Sequence, residues 1–194
     1  MGICNNRVVI ITGAGGGLGA AHAKVFAAEG ASVVVNDINE AAAQKVVDEI
    51  TAAGGKAVVN TSDITNYDDS LNAVKQAIDT FGDLHIVLNN AGVNRDRMFA
   101  SMTEAEWDTI MAVHLKGHFC ITSHSVHYWR AKSKEGKPVD ARIINTTSGA
   151  GLQGSIGQSN YAADKGGIAA LTLNQGAGLA RSRIAACSVA PAAR

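Results

Sequence analysis

The chain has 194 residues, 46% of them hydrophobic, and its 17 basic and 17 acidic side chains leave no formal net charge. That length suits one domain with a sizeable core, and the balanced, unclustered charge argues against nucleic acid or an anionic membrane surface as partner. No apolar run is long enough to cross a bilayer, and M-G-I-C-N-N-R at the start lacks the basic and apolar regions of a signal peptide.

The first predicted strand, V-V-I-I-T at 8–12, runs into T-G-A-G-G-G-L-G and then a helix over 18–29. Glycines at such a turn let the backbone approach a phosphate closely, while the helix N-terminus offers free N–H groups and a favourable dipole. The spacing is Gly13-x-x-x-Gly17-x-Gly19, with Leu18 where the commonest dinucleotide fingerprint has its last glycine. The turn therefore either cradles a phosphate or is purely structural. The second strand, S-V-V-V-N-D at 32–37, ends on Asp37. An acid there accepts hydrogen bonds from adenosine ribose hydroxyls and repels a 2′-phosphate. Ile38, Asn39 and Glu40 follow, and no cation interrupts the glycine loop, so the pattern favours NAD(H) over NADP(H). The alternative is that Asp37 caps the next helix, over 40–53.

Gly54-Gly55 stops that helix. A-V-V-N-T at 57–61 is the third strand, and S-D-I carries Asp63 and Ile64 past its end. A helix over 67–81 and the strand H-I-V-L-N-N at 85–90 come next. A long helix over 104–132 opens on the capping-box spacing of Thr103 and Glu106. The polar run 130–142 reads as a helix end and solvated loop before the fifth strand, R-I-I-N-T-T at 142–147. A helix over 161–180 and a sixth strand, C-S-V-A at 187–190, complete the pattern. The strands are apolar without strict alternation, as strands covered on both faces are. Regular alternation of strand and helix implies right-handed βαβ units: an α/β fold with a doubly wound parallel sheet in three αβα layers, one domain over 1–194. Cys4, Cys120 and Cys187 are far apart and form no Cys-x-x-Cys, which fits reduced thiols in the cytoplasm.

Three further pieces fall at strand ends or on one helix face. N-N-A-G, Asn89 to Gly92, closes the fourth strand, and N-T-T-S-G puts Ser148 at the end of the fifth. Tyr161-x-x-x-Lys165 sets a phenol and an ammonium one helical turn apart on the same face. Together with the glycine loop, these motifs resemble the short-chain dehydrogenase/reductase family over essentially the whole chain. The resemblance implies an oxidoreductase that transfers a hydride between NAD(H) and a secondary alcohol or ketone. It implies that Tyr161 gives or takes the proton, that Lys165 binds nicotinamide-ribose hydroxyls and favours the phenolate, and that Ser148 hydrogen-bonds the substrate oxygen. Asn90, Ala91 and Gly92 match the segment beside the cofactor. Asp63, followed by Ile64, matches the aspartate that meets the adenine amino group, or else it is an ordinary strand-end cap. The chemistry asks for these residue types: a free phenol titrates near pH 10, and a fixed cation in a partly desolvated site favours its charged form.

Two departures accompany the resemblance. The family's V-N-L-x-G reads V-H-L-K-G, so His114 stands at the Asn position. Either it takes over the site role of that Asn, or it is a satisfied, half-buried histidine. V-H-L-K-G, V-V-V-N-D and the glycine loop are also similar to the hydroxyacyl-CoA dehydrogenase domains of multifunctional β-oxidation enzymes, which points to a substrate class. The sixth strand closes in C-S-V-A-P-A-A-R, and the family's substrate loop and last strand do not follow. A sheet without its usual C-terminal strand is therefore expected. His22, His118, His124 and His127 form no ligand set, and no metal is expected. By resemblance, the helices over 104–132 and 161–180 pair across two-fold axes in a homotetramer or homodimer. The altered Asn position keeps a second function open: a catalytically silent, NAD-binding regulatory protein on the same fold.

Overall fold

In the computed structural model, residues 2–191 are described. Six parallel strands form one sheet in the order β3-β2-β1-β4-β5-β6. β1 (Val8–Thr12) lies near the centre with all five side chains buried. Its alternate residues serve two separate cores, because successive strand residues point to opposite faces. Val9 and Ile11 pack with Val33 and Val35 of β2 (Ser32–Asn36) against α1 (Gly17–Ala28) and α2 (Glu40–Ala52). Val8 and Ile10 face α3 (Tyr67–Phe81) and α5 (Gly117–Lys134) on the other side. β3 (Lys56–Asn60) and β4 (Ile86–Asn89) flank this pair, followed by β5 (Ala141–Thr146) and β6 (Ile184–Val189). The result is the expected three-layer, doubly wound sheet. No helix among the described residues is long and apolar enough to cross a membrane.

The carboxyl edge of the sheet is braced by amides. Asn36 donates to Asn60 Oδ1 at 2.7 Å, and Asn89 donates to Asn145 Oδ1 at 2.9 Å. These pairs sit on neighbouring, in-register strands, so buried side chains extend the backbone ladder just below the loops. The loops that follow β1 to β5 therefore leave the sheet from a common level.

Several elements differ from the sequence reading. β2 stops at Asn36, which frees Asp37 for the loop. β6 begins at Ile184, because that side chain is buried opposite Ala141, although R-S-R-I-A-A carries a weak strand signal. The long helix is not uniform: α4 (Glu104–Ile110) passes through a π-helical turn, Met111–Lys116, into α5. A short helix, α6 (Gly149–Gln153), forms in a stretch too rich in glycine to predict one. Ser148 caps it, accepting from Ala150 N–H at 3.2 Å. Last comes α7 (Ser159–Leu179), which opens two residues before the expected start. Among the described residues β6 is one of the two sheet edges, opposite β3, and Ala185, Cys187 and Val189 on its α1/α2-side face are exposed.

Candidate active site

The strand order reverses between β1 and β4, and in such sheets ligands bind outside the carboxyl ends of the strands at that point. Two adjoining cavities occupy the place. One, of about 230 Å³, is lined by Gly13, Asp37, Asp63, Ile64, Ala91 and Gly92. The other, of about 500 Å³, is lined by Leu18, Asn90, His114, Ser148, Tyr161 and Lys165. Gly92 and Val93 belong to both.

The glycine loop is demanded by close approach. Gly13 has φ +62°, and a methyl on it would lie 2.7 Å from Ala91 Cα. A methyl on Gly19 would lie 2.1 Å from Gly13 O and 2.6 Å from Asn90 Nδ2. Gly17, at φ +50° on the first turn of α1, faces open space, as does Gly16 before it. Thr12 fastens the loop to the next one: its hydroxyl accepts from Asn90 N–H at 3.0 Å and Ala91 N–H at 3.1 Å. The Asn90 amide returns the contact by donating to Thr12 O and Gly13 O.

Asp37 accepts from Gly15 N–H through Oδ2 and from Asn39 N–H through Oδ1, each at 2.9 Å. It does not cap α2; Asn39 does, accepting from Ala42 N–H. Asp63 closes a local turn by accepting from the Thr65 amide and hydroxyl, both at 2.8 Å, at the rim of the smaller cavity. A backbone cradle, an open helix N-terminus and an acidic rim are the groups that a dinucleotide's pyrophosphate and ribose require, so the residues present fit an NAD(P)-type cofactor.

Lys165 is 2% exposed and donates to Thr146 O at 2.8 Å. Its Nζ lies 5.4 Å from the centre of the Tyr161 ring. Burial pushes the ammonium down to about 8, and the neighbouring Asp164 carboxylate opposes that shift. The Ser148 hydroxyl oxygen is occupied by the α6 cap, which leaves its O–H free to donate.

His114 is not half-buried but sealed, at 1% exposure. Both ring nitrogens are engaged: Nδ1 lies 2.6 Å from Asp164 Oδ2, and Nε2 lies 2.8 Å from Val93 N and 3.0 Å from Val93 O. The ring stands edge-on to Tyr161, with centroids 5.5 Å apart at 82°. One turn along α5, His118 is buried with no partner for either nitrogen among the described residues. Burial, reinforced by the charge of Lys165, holds it down at about 3, so it is neutral at physiological pH.

Two residues at this site carry no motif. Asn160 donates to Arg95 O and Glu106 O while accepting from Tyr161 N–H, which ties the loop after β4 and the first turn of α4 to the tyrosine helix. Asp164 reads in sequence as one more helix residue. Its one signal is that it is the one acid in α7, a helix whose other charged residue is Lys165.

A family model described as short chain dehydrogenase matches residues 7–193. The chain is 47% identical over 197 residues to the hydroxyacyl-CoA dehydrogenase ChsB1 of Mycobacterium tuberculosis, across 98% of this chain and 62% of that protein. It is 43% identical over 176 residues to the peroxisomal multifunctional enzyme type 2 of Mus musculus, across 86% of this chain and 23% of that one. The chain thus spans less than two thirds of the length of either relative. Among solved structures, a short chain dehydrogenase from Mycobacterium avium superposes with a TM-score of 0.98 at 54% identity, covering 100% of this chain and 72% of that one.

Proposed function

Because the chain belongs to the short-chain dehydrogenase family, we propose that it interconverts a secondary alcohol and a ketone with NAD(H), using Tyr161 as general acid and base. The observation that carries this reading is the convergence of Ser148, Tyr161 and Lys165 on one cavity that adjoins the glycine cradle. NAD(H), when bound, supplies or accepts the hydride. Gly13, Gly17 and Gly19 with the α1 N-terminus hold its pyrophosphate. Each Asp37 oxygen already accepts one backbone N–H and keeps lone pairs for ribose hydroxyls, while its charge repels a 2′-phosphate. Leu18 lines the larger cavity, and Asn90, Ala91 and Gly92 border the two.

Ser148 donates to the substrate oxygen. Tyr161 protonates that oxygen in reduction and receives the proton in oxidation. Lys165 spends one of its three N–H bonds on Thr146 O and keeps two for ribose hydroxyls. Its positive charge favours the phenolate and the developing alkoxide in a water-poor site.

For the substrate we infer a hydroxyacyl thioester and its keto counterpart. Support comes from the names of the relatives at 47% and 43% identity and from the V-H-L-K-G segment. We also infer a cytoplasmic homotetramer or homodimer built on α5 and α7, where Phe119 and Leu173 are 51% and 78% exposed; a monomer in sedimentation refutes the assembly.

Replacing Tyr161 by Phe tests the function. Turnover of a hydroxyacyl thioester falls by about 10³-fold while NADH affinity stays within about threefold. Unchanged turnover overturns the assignment in favour of a silent nucleotide-binding protein. Parallel titration with NADH and NADPH tests the cofactor, and tighter NADPH binding overturns the reading of Asp37.

A further inference from the structure

Asp164 has no task in the reaction just described, yet it is 0% exposed on the tyrosine helix. A buried carboxylate is costly unless its oxygens are engaged. One oxygen, Oδ2, meets His114 Nδ1 at 2.6 Å, and the other has no partner among the described residues. Across the ring, His114 Nε2 faces both polar atoms of one residue, Val93 N at 2.8 Å and Val93 O at 3.0 Å. One nitrogen cannot serve both. Unprotonated, it accepts from the Val93 N–H; protonated, it donates to the carbonyl. A carboxylate against Nδ1 requires the proton to sit on Nδ1, and in the neutral ring that leaves Nε2 bare for the N–H, the shorter of the two contacts.

We propose that Asp164 is a positioning residue for the reaction: it fixes the His114 tautomer and, through that ring, anchors Gly92-Val93-Asn94 as the wall of the reaction cavity. This rests on the reading of that cavity as the active site. All three wall residues line it. The ring and the wall are in contact, since a methyl on Gly92 would lie 3.0 Å from His114 Nε2. The π-helical turn supplies the geometry. A surplus residue in a helix costs regular hydrogen bonding and recurs at functional sites, and His114 falls inside Met111–Lys116. Asp164 also bears on Lys165, whose ammonium it favours against burial. The titratable groups around the pair are Tyr161 and Lys165 from α7 and His118 from α5.

An amide in place of the carboxylate can present either an acceptor or a donor to Nδ1, so Asp164→Asn no longer dictates the tautomer. The first test is nitrogen-15 NMR of histidine-labelled wild-type protein at pH 8.5, with the His114 signals assigned by their loss in His114→Asn. The expected result is a protonated Nδ1 and a bare, pyridine-type Nε2; a proton on Nε2 overturns the proposal. The second test is kinetic. Asp164→Asn lowers kcat about tenfold or more with KM for NADH within about twofold, and it adds nothing in the His114→Asn background. A double-variant loss equal to the product of the single losses, or a kcat for Asp164→Asn within twofold of wild type, overturns it. The NMR measurement needs no turnover, so a wild type inactive on every substrate removes the proposed function while the tautomer is still decided.

Discussion

The two ends of the crevice are built from different materials. At the end bordered by Gly13, Asp37 and Asp63, shape comes from backbone: missing side chains let the loops after β1 and β4 touch, and one hydroxyl, that of Thr12, accepts two N–H groups to lock them. At the other end, shape comes from side chains: Asp164 holds His114, His114 grips the Val93 backbone, and Asn160 grips the carbonyls of Arg95 and Glu106. A backbone-built surface offers fixed N–H donors and binds without rearranging. A side-chain-built surface can carry charge and exchange protons. The first suits affinity and the second suits chemistry.

Substitutions at the two ends should therefore fail differently. Lys165→Met should have the largest effect, lowering turnover about 10²- to 10³-fold with a smaller loss of NADH affinity, measured by steady-state kinetics and fluorescence titration. Gly19→Ala should do the opposite. The added methyl must displace Gly13 O, so NADH affinity falls about 100-fold, while the turnover at saturation changes little. If Gly19→Ala depressed kcat with affinity intact, the division between the ends would be wrong. Thr12→Val removes the shared acceptor and strands two N–H groups. It costs about 1–3 kcal/mol in urea unfolding, without a preferential effect on kcat. The smallest effect is on pH dependence. Burial holds Lys165 at about 8, below its usual 10.5, so between those values the unfolded chain binds more protons and stability rises with pH. The burial penalty is complete below pH 8. The stability difference between cofactor-free wild type and Lys165→Met should move by about 1 kcal/mol in favour of wild type from pH 8 to pH 9. A flat difference would mean that the amine is solvated.

The same contrast decides what was legible beforehand. The backbone-built end is written in contiguous residues, so T-G-A-G-G-G-L-G and the acid closing V-V-V-N-D could be placed directly on a strand, a turn and a helix. Tyr161 and Lys165 were legible because one helical turn brings them together. Asp164 and Asn160 were not, because their partners lie in residues 93–114, and a long-range pair leaves no local pattern. The π-helical turn was equally silent: M-A-V-H-L-K contains no glycine or proline to mark a break, and its extra residue is imposed by what the turn packs against. Where local propensity was poor, as in G-A-G-L-Q, tertiary context formed a helix that composition argued against. Asp37 was read as sugar contact or helix cap, and the structure removes only the cap.

The surplus residue at Met111–Lys116 sets the phase between the two halves of the long helix. Each residue of an α-helix advances it by about 100°, so the segment before the turn and the segment after it run out of phase. That offset lets Glu106 meet Arg97 while Ile121 and Trp129 sink into the sheet side. A chain one residue shorter at this point would make a smoother helix with every neighbour rotated, so the length of the stretch is under as tight a constraint as its composition.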